Sequence, residues 1–277
     1  MWRSGLRRRS SAGSAQGGTR ARRGERRSMK ASIVVFLLTM LGSTACLASG
    51  LACYRCPKVK VPPTIDGKLD DEAWKIAPPI TLVLSTTGEP ATKRTIARMC
   101  WDDANLYVSF ECQDTDIWGT YTKRDDPVYN EEVVEVFASP DCDLKHYYEF
   151  NVSPRNVVFD ADVYDPVNGH PGAKTSHPWN CEGIRTAVCV DGTLDCRTDT
   201  DKGWTAELAI PFAGMETSAP KIGQRWRLNL YRIDLTPEPA EFQAWSPTMH
   251  NPAAFHIPER FGTVFFEGTA GCRSAMP

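Results

Sequence analysis

Most of the chain from residue 80 onward consists of short runs in which apolar and polar side chains alternate. These runs cover residues 80–84, 95–101, 106–111, 133–138, 147–152, 157–163, 184–190, 204–210, 226–233 and 263–266, with turn-forming residues between them. Alternation with a period of two is typical of strands, because successive side chains point to opposite faces. Only residues 70–76 indicate a helix. The pattern therefore predicts an all-β domain, most simply an antiparallel two-sheet β-sandwich of the jelly-roll type.

The run at 133–138 places a carboxylate among apolar side chains. If it is a strand, Val134 and Val136 point to one face, and Glu135 points to the other beside Val133 and Phe137. A carboxylate framed by apolar groups suits a sugar, whose hydroxyls donate hydrogen bonds and whose C–H faces stack on aromatic rings. An ordinary half-buried strand with a solvated Glu is the alternative.

The same reasoning groups further polar residues on one sheet face. Residues 147–152 turn Glu149 and Asn151 away from the core side, and residues 226–233 do the same for Asn229 and Tyr231. If these strands are neighbours of 133–138, the face combines these side chains with Glu135. Such a face is either solvated surface or a binding platform.

The first 52 residues have the features of a secretory leader. Lys30 precedes an apolar run at 31–41 that is followed by small residues. This run is too short to span a bilayer, so we predict no stable membrane span. We divide the chain into a basic N-terminal extension or upstream start artefact (1–28), a signal peptide (29–52), a folded domain (53–268) and a flexible tail (269–277). We expect a secreted, periplasmic or cell-surface protein, the last through a lipoprotein site at Cys46.

Without the leader the chain is acidic. Residues 53–277 hold 22 basic and 33 acidic side chains, a formal charge of −11. This charge argues against nucleic acid or an anionic membrane surface as a partner, because basic patches supply most of the affinity for both.

The cysteines indicate an oxidising compartment. Nine of the ten lie in residues 53–277, a number that favours disulfides in an exported protein. Cys189 and Cys196 flank a turn and form a candidate hairpin pair. Cys53 and Cys56 are either a local pair or two ends that bridge elsewhere. With one C-x-x-C, the sequence offers no zinc site.

Five segments, in this order, resemble family 9 carbohydrate-binding modules. They are IDGKLDDEAW (65–74), WDDANLYV (101–108), EVF (135–137), GWTAELAIP (203–211) and RFG (260–262). The resemblance covers residues 57–267 and implies that 53–268 is a β-sandwich that binds oligo- or polysaccharide without catalysis. It also implies a role in polysaccharide breakdown, with glycoside hydrolases as candidate partners.

The resemblance assigns site residues. Family members clamp a sugar between two aromatic rings, which correspond here to Tyr129, six positions before Glu135, and Phe255, six positions before Phe261. The family's binders use Trp at both positions, so the rings here are smaller and stack less area. Glu135 corresponds to the carboxylate that accepts sugar hydroxyls.

The resemblance also assigns three further polar residues, which match the family's pattern less closely. Asp114 corresponds to an acid in the loop after the predicted strand 106–111, and Asn251 to an Asn before the second ring. Asn151 stands where the binders place an Arg, which removes a bidentate cationic donor.

The sequence identifies no particular cofactor, and the resemblance implies that structural Ca²⁺ can bind, as it does in family members. Asp199 and Asp201 are weak candidates as Ca²⁺ ligands, and a plain Asp-rich β-turn is the alternative there.

Three other functions remain open. A glycoside hydrolase could use Glu131, Glu132 or Glu135, but a working pair needs a carboxylate from a second strand. A haem-b electron-transfer domain of related fold could use Met99 or the adjacent Met249 and His250. The domain could also have kept the fold and lost sugar binding.

Overall fold

The computed structural model describes residues 50–175, 179–236 and 238–269. The predicted extension 1–28, the predicted signal peptide up to residue 49, Cys46 and the predicted tail from residue 270 lie outside the described residues. Within the described ranges, no helix is long and apolar enough to cross a membrane.

The described part contains thirteen strands and one short α-helix. The strands are β1 (Cys53–Lys58), β2 (Ile80–Thr81), β3 (Val83–Leu84), β4 (Thr95–Trp101), β5 (Asn105–Gln113), β6 (Val133–Ser139), β7 (His146–Val152), β8 (Val158–Tyr164), β9 (Arg185–Asp191), β10 (Gly203–Pro211), β11 (Arg225–Asp234), β12 (Glu241–Ala244) and β13 (Gly262–Thr269). The helix α1 spans Glu72–Ile76, and 3-10 turns cover Val128–Asn130, Ala213–Met215 and Pro258–Arg260. The predicted all-β class is confirmed.

The strands join in one continuous sheet, in the order β8-β7-β6-β11-β13-β1-β4-β5-β10-β9. The predicted two-sheet, jelly-roll arrangement is not confirmed, and the sheet is not wholly antiparallel. Strand β1 lies between β13 and β4 and runs parallel to both. Alternation cannot reveal this arrangement, because it fixes which face a side chain takes but not the partner or direction of a strand.

Two apolar clusters lie on opposite faces of β6, β7 and β11. The main core takes Val134 and Val136 from β6 and Val108 and Phe110 from β5, so both halves of the strand order contribute to it. The second cluster contains Val133, Phe137, Tyr147, Tyr231, Phe255 and Phe261. The face predicted to oppose the core is therefore itself buried, and it carries the site described below.

Two of the five sequence segments meet at one carboxylate. Glu207 of β10 accepts hydrogen bonds from Trp74 Nε1 (2.6 Å), Gly67 N (2.7 Å) and Asp66 N (3.0 Å). Gly67 has a φ of +86°, and a Cβ there would lie 2.8 Å from the backbone of Val188. The segment 65–74 thus anchors the N-terminal turn to the sheet and lies outside the candidate site described below.

The cysteine predictions were wrong for two pairings. Cys189, Cys196 and Cys56 are free thiols, so neither the hairpin pair nor the local Cys53–Cys56 pair forms. Cys189 is exposed on β9 and Cys56 is buried in the main core.

Candidate functional site

A cavity of about 290 Å³ opens above the second apolar cluster. It is lined by Tyr129, Glu135, Glu149, Phe159, His170, Pro171, Ile233, Phe242, Ala253, Ala254, Phe255 and His256. These residues come from the 3-10 turn at 128–130, from five strands, and from two loops. Most of the lining is apolar, as is typical of small-molecule sites with a few placed polar groups.

Tyr129 and Phe255, the two predicted clamp residues, both line this cavity. Tyr129 is 42 % exposed, and its ring meets Phe159 edge-on with 5.0 Å between the centroids. Its exposure leaves ring surface available to a ligand.

Phe255 is more deeply buried than Tyr129. It is 8 % exposed and stacks on Tyr231, with centroids 4.1 Å apart and an interplanar angle of 11°. The Tyr231 hydroxyl donates to the Phe255 carbonyl (3.0 Å) and accepts from Asn229 Nδ2 (2.8 Å). One face of Phe255 is therefore covered by protein, and Asn229 and Tyr231 position the ring.

Glu135 lies in the cavity on the face that alternation assigned to it. It pairs in register with Asn151 of β7 and Tyr231 of β11, which confirms that these three residues share a face. Glu135 is 2 % exposed, so the alternative of a solvated Glu is wrong. The side chain is enclosed because the second apolar cluster covers this face.

Glu149, on the neighbouring strand β7, is the second carboxyl of the cavity. It is 5 % exposed, and its Oε1 accepts a hydrogen bond from Asn151 Nδ2 (2.9 Å). Burial raises the pKa of Glu149 to about 7. Burial and then the neighbouring Glu149 charge raise the pKa of Glu135 well above its usual value. The pair therefore retains protons into the neutral range, since two charges so close in an apolar setting repel each other.

His256 closes one side of the cavity. Its Nδ1 shares a 2.6 Å hydrogen bond with the Tyr147 hydroxyl, and its Nε2 lies 3.9 Å from Glu149 Oε2. Its backbone forms a β-bridge to Gly169, which has a φ of +82°. A Cβ on Gly169 would lie 2.6 Å from Ala254 Cβ, so only glycine lets the two loops approach this closely.

The remaining predicted site residues do not line the cavity. Asn151 is fully buried, and its side-chain amide donates a hydrogen bond to Glu149, which lines the cavity. Asn251 is exposed on the loop that leads to Ala253. Asp114 is buried elsewhere and pairs with Arg232 at 3.0 Å. The loop that carries Asp114 packs against Arg232 of β11, so this carboxylate lies outside the cavity.

Asp114 belongs to the one group of carboxylates in the described ranges that lie close enough to share a metal ion. Its partners are Glu132 and Asp234, with ligand atoms within 4.8 Å of one another. The group does not fit Ca²⁺, because Arg232 contacts both Asp114 and Asp234 (2.6 Å) and Lys93 lies 2.9 Å from Asp234. Arg232 and Lys93 already supply the positive charge beside Asp114 and Asp234.

Asp199 and Asp201 do not form a Ca²⁺ site either. Asp201 is buried, and its two oxygens accept hydrogen bonds from the backbone of Ile117 (2.8 Å) and Thr193 (2.7 Å). Asp199 is exposed. Asp201 thus ties two loops together, which is the β-turn alternative.

Apart from Glu135, the residues named for the other functions lie outside the cavity. Glu131 accepts from the backbone of Thr120 (2.7 Å), and Glu132 is in the Asp114 group. Met99 is buried in the main core, and Met249 is exposed. No methionine is among the described residues that line the cavity.

Sequence reasoning missed the roles of Glu149, His256 and Phe159. Alternation had placed Glu149 on the correct face, but nothing local to its strand indicates that it enters a cavity. His256 follows Phe255 directly, and only the fold of its loop brings it next to Glu149.

Comparisons with known proteins agree with this architecture. A family model described as "Carbohydrate family 9 binding domain-like" matches residues 65–269. An extracellular protein of Arthroderma benhamiae is 31 % identical over 180 residues, which are 62 % of this chain and 78 % of that protein. Endo-1,4-beta-xylanase A of Thermoanaerobacterium saccharolyticum is 30 % identical over 159 residues, which are 56 % of this chain and 11 % of the xylanase.

Two solved structures share the fold at low sequence identity. A putative carbohydrate-binding protein from Bacteroides uniformis has a TM-score of 0.64 and 18 % identity, covering 78 % of this chain and 99 % of its own. A family 9 carbohydrate-binding module from Caldicellulosiruptor kristjanssonii, in complex with cellotriose, has a TM-score of 0.54 and 16 % identity, covering 81 % and 98 %. With the family model matched over nearly the whole described domain, this chain belongs to the carbohydrate family 9 binding domain-like proteins.

Proposed function

We propose that this chain is an exported, non-catalytic protein that holds a sugar in the cavity between Tyr129 and Phe255. Glu135 accepts hydroxyl hydrogen bonds there. The observation that carries the proposal is the convergence of two aromatic rings and a buried carboxyl, from separate parts of the chain, on one cavity. Cellotriose is the natural first ligand to test, since the Caldicellulosiruptor module is a complex with that sugar.

The two rings contribute differently. Tyr129 offers an exposed ring for the C–H face of a sugar, while Phe255 offers only the face that Tyr231 leaves open. Both rings are smaller than Trp, so we expect weaker stacking than in family members that carry two Trp residues.

Tyr129→Ala tests the proposal directly. We expect cellotriose or xylotriose to bind the unaltered protein in a calorimetric titration, and the variant to bind at least about fivefold more weakly, as for loss of an aromatic contact of about 1 kcal/mol. Sugars with a reduced end, titrated alongside, report whether the cavity selects a chain end.

Phe265→Ala is the matched control, because this half-buried ring lies on β13 and not in the cavity. It should leave the affinity unchanged. Equal affinity of the Tyr129 variant and the unaltered protein would show that the clamp is misplaced. Absence of binding to any cello- or xylo-oligosaccharide would favour a domain that kept the fold and lost sugar binding.

We also propose that the protein acts outside the cytoplasm. The leader at 29–52 and the extracellular relative support export. Its role would be to aid polysaccharide breakdown with glycoside hydrolases supplied by other chains. Mass spectrometry of the mature N-terminus tests this: cleavage near residue 52 supports release, and a lipid on Cys46 supports a cell-surface anchor.

Hydrolysis is the second candidate, because Glu149 supplies a carboxyl from a second strand beside Glu135. Both side chains point from the same face of neighbouring strands, however, whereas catalytic carboxyls must flank the scissile bond. Reducing-sugar release from xylan or cellulose that disappears in Glu135→Gln would establish hydrolysis.

A further inference from the structure

The ionisable side chains of the cavity bear on which ligands it binds. Two carboxyls line it, and none of the described lining residues is a Lys or an Arg. Asn151 stands where the resemblance implies an Arg in the binders, and it donates to Glu149 without lining the cavity.

The two carboxyls are poorly supplied with hydrogen-bond donors. No described residue donates a hydrogen bond to the Glu135 carboxyl, although this side chain is 98 % buried and lines the cavity. Glu149 receives one neutral donor, from Asn151, and its other oxygen lies 3.9 Å from His256 Nε2. Because both carboxyls line the cavity, a ligand that brings a positively charged donor supplies hydrogen bonds that the protein does not.

The rest of the lining also suits a cation. Tyr129, Phe159, Phe242 and Phe255 surround the carboxyls. Aromatic rings attract a nearby ammonium group through their quadrupole, and the attraction grows when the group is removed from water. The net charge of −11 over residues 53–277 favours the approach of a cationic ligand.

We propose that the cavity prefers a sugar that carries an ammonium group, such as a glucosamine unit of a chitosan-type oligosaccharide, over a neutral sugar of the same linkage. The ammonium group lies between Glu135 and Glu149, and the ring stacks on Tyr129. This preference rests on the proposed carbohydrate-binding function and names its ligand class.

Protonation supplies an independent signature. Burial raises the pKa of Glu149 to about 7 and raises the pKa of Glu135 well above its usual value, so the empty pair retains protons near neutral pH. A bound cation favours the ionised carboxyls and expels protons from the pair. The other titratable groups near the pair are Tyr129, Tyr147, Tyr231, His170 and His256. The three tyrosines have pKa values raised by burial and stay neutral.

The test compares three β-1,4-linked disaccharides that differ only at carbon 2: cellobiose with a hydroxyl, the glucosamine dimer with an ammonium group, and the N-acetylglucosamine dimer with a neutral amide. Titrations at about pH 6.5 keep the amine protonated while Glu149 can ionise. We expect the glucosamine dimer to bind about tenfold more tightly than cellobiose, a difference of about 1.4 kcal/mol.

The variant Glu149→Gln keeps the side-chain shape and removes the charge. The measured quantity is the ratio of the two affinities, which should fall from about ten to about one. Glu182→Gln removes the same charge from the exposed surface and should leave the ratio at its original value. Unfolding curves of both variants verify the fold.

Calorimetry in two buffers of different ionisation enthalpy counts the protons. The glucosamine dimer should release about half a proton or more per site, and cellobiose essentially none. Equal affinity for all three disaccharides, or a preference that persists in Glu149→Gln, would overturn the inference while leaving the proposed function intact. If none of the three binds, the proposed function and the preference fall together.

Discussion

Tyr231→Phe removes a single buried oxygen that supports the second ring of the cavity. The Tyr231 hydroxyl donates to the Phe255 carbonyl (3.0 Å) and accepts from Asn229 Nδ2 (2.8 Å). The stacking of the two rings at 4.1 Å does not depend on the hydroxyl. The substitution therefore tests the hydrogen bonds without removing the aromatic contact.

The expected loss of stability depends on the hydrogen bonds that each partner of the Tyr231 hydroxyl retains. The Phe255 carbonyl still accepts from Ile257 N (2.7 Å), and Asn229 Nδ2 still donates to the Ser246 carbonyl (2.8 Å). Neither partner is left wholly unpaired, so we expect the loss of two ordinary hydrogen bonds, about 2 kcal/mol of the free energy of unfolding. For a domain of this size the melting temperature should fall by about 4–8 °C.

Urea denaturation followed by tryptophan fluorescence measures this change, with an unaltered m-value as evidence that the unfolded state is the same. Affinity for cellotriose should fall as well, because the Phe255 main chain loses an anchor. Tyr121→Phe is the control, since the Tyr121 hydroxyl makes no hydrogen bond to any described residue. A change smaller than about 0.5 kcal/mol in Tyr231→Phe would refute the argument that this hydroxyl holds the ring in place.

Two further predictions concern buried carboxyls. Glu207→Gln should lower the free energy of unfolding by about 3 kcal/mol, because the carboxylate accepts hydrogen bonds from Trp74, Gly67 and Asp66. Trp74→Phe removes one of these bonds and should lower the free energy of unfolding by less. In a double-mutant cycle the two losses should not add. Additive losses would contradict a direct bond between them. Burial, and then the charge of Asp114, raise the pKa of Glu132 to about 9. The protonated Glu132 therefore stabilises the fold fully below about pH 4.5, the pKa of this group in the unfolded chain, and this contribution is lost as the pH rises through about 9. Glu132→Gln should flatten that decline in denaturation curves collected across the range, and an unchanged slope would show that Glu132 is ionised in the folded state.

The sequence predicted strands and faces well where alternation was strong. Strand β4 has the predicted bounds, β6 and β7 differ from prediction by one residue at one end, and β11 differs by one residue at each end. The reason is local: side chains that alternate with a period of two fit an extended chain, whose successive side chains point to opposite faces. Alternation also placed Glu135, Glu149 and Asn151 on one face. The resemblance added Tyr129 and Phe255, which the fold brings to the same cavity.

Strands with little alternation were missed. Strand β1 begins directly after the predicted leader, and β12 is only four residues long, so neither gave a distinct pattern. Their pairings are nevertheless decisive. Strand β1 joins β13 to β4 and makes the sheet continuous, and β12 pairs with β11 beside the cavity.

By itself, then, the sequence determined the all-β class, the face that each strand residue takes, and the acidic character of the domain after its leader. Only the tertiary structure decided that the face bearing Glu135 is buried, that Glu149 and His256 enter the same cavity, and that Asp114 pairs with Arg232 away from it. The physical reason is that alternation is a property of neighbouring residues. Burial, pKa and ligand access depend on contacts between strands and loops that are distant along the chain.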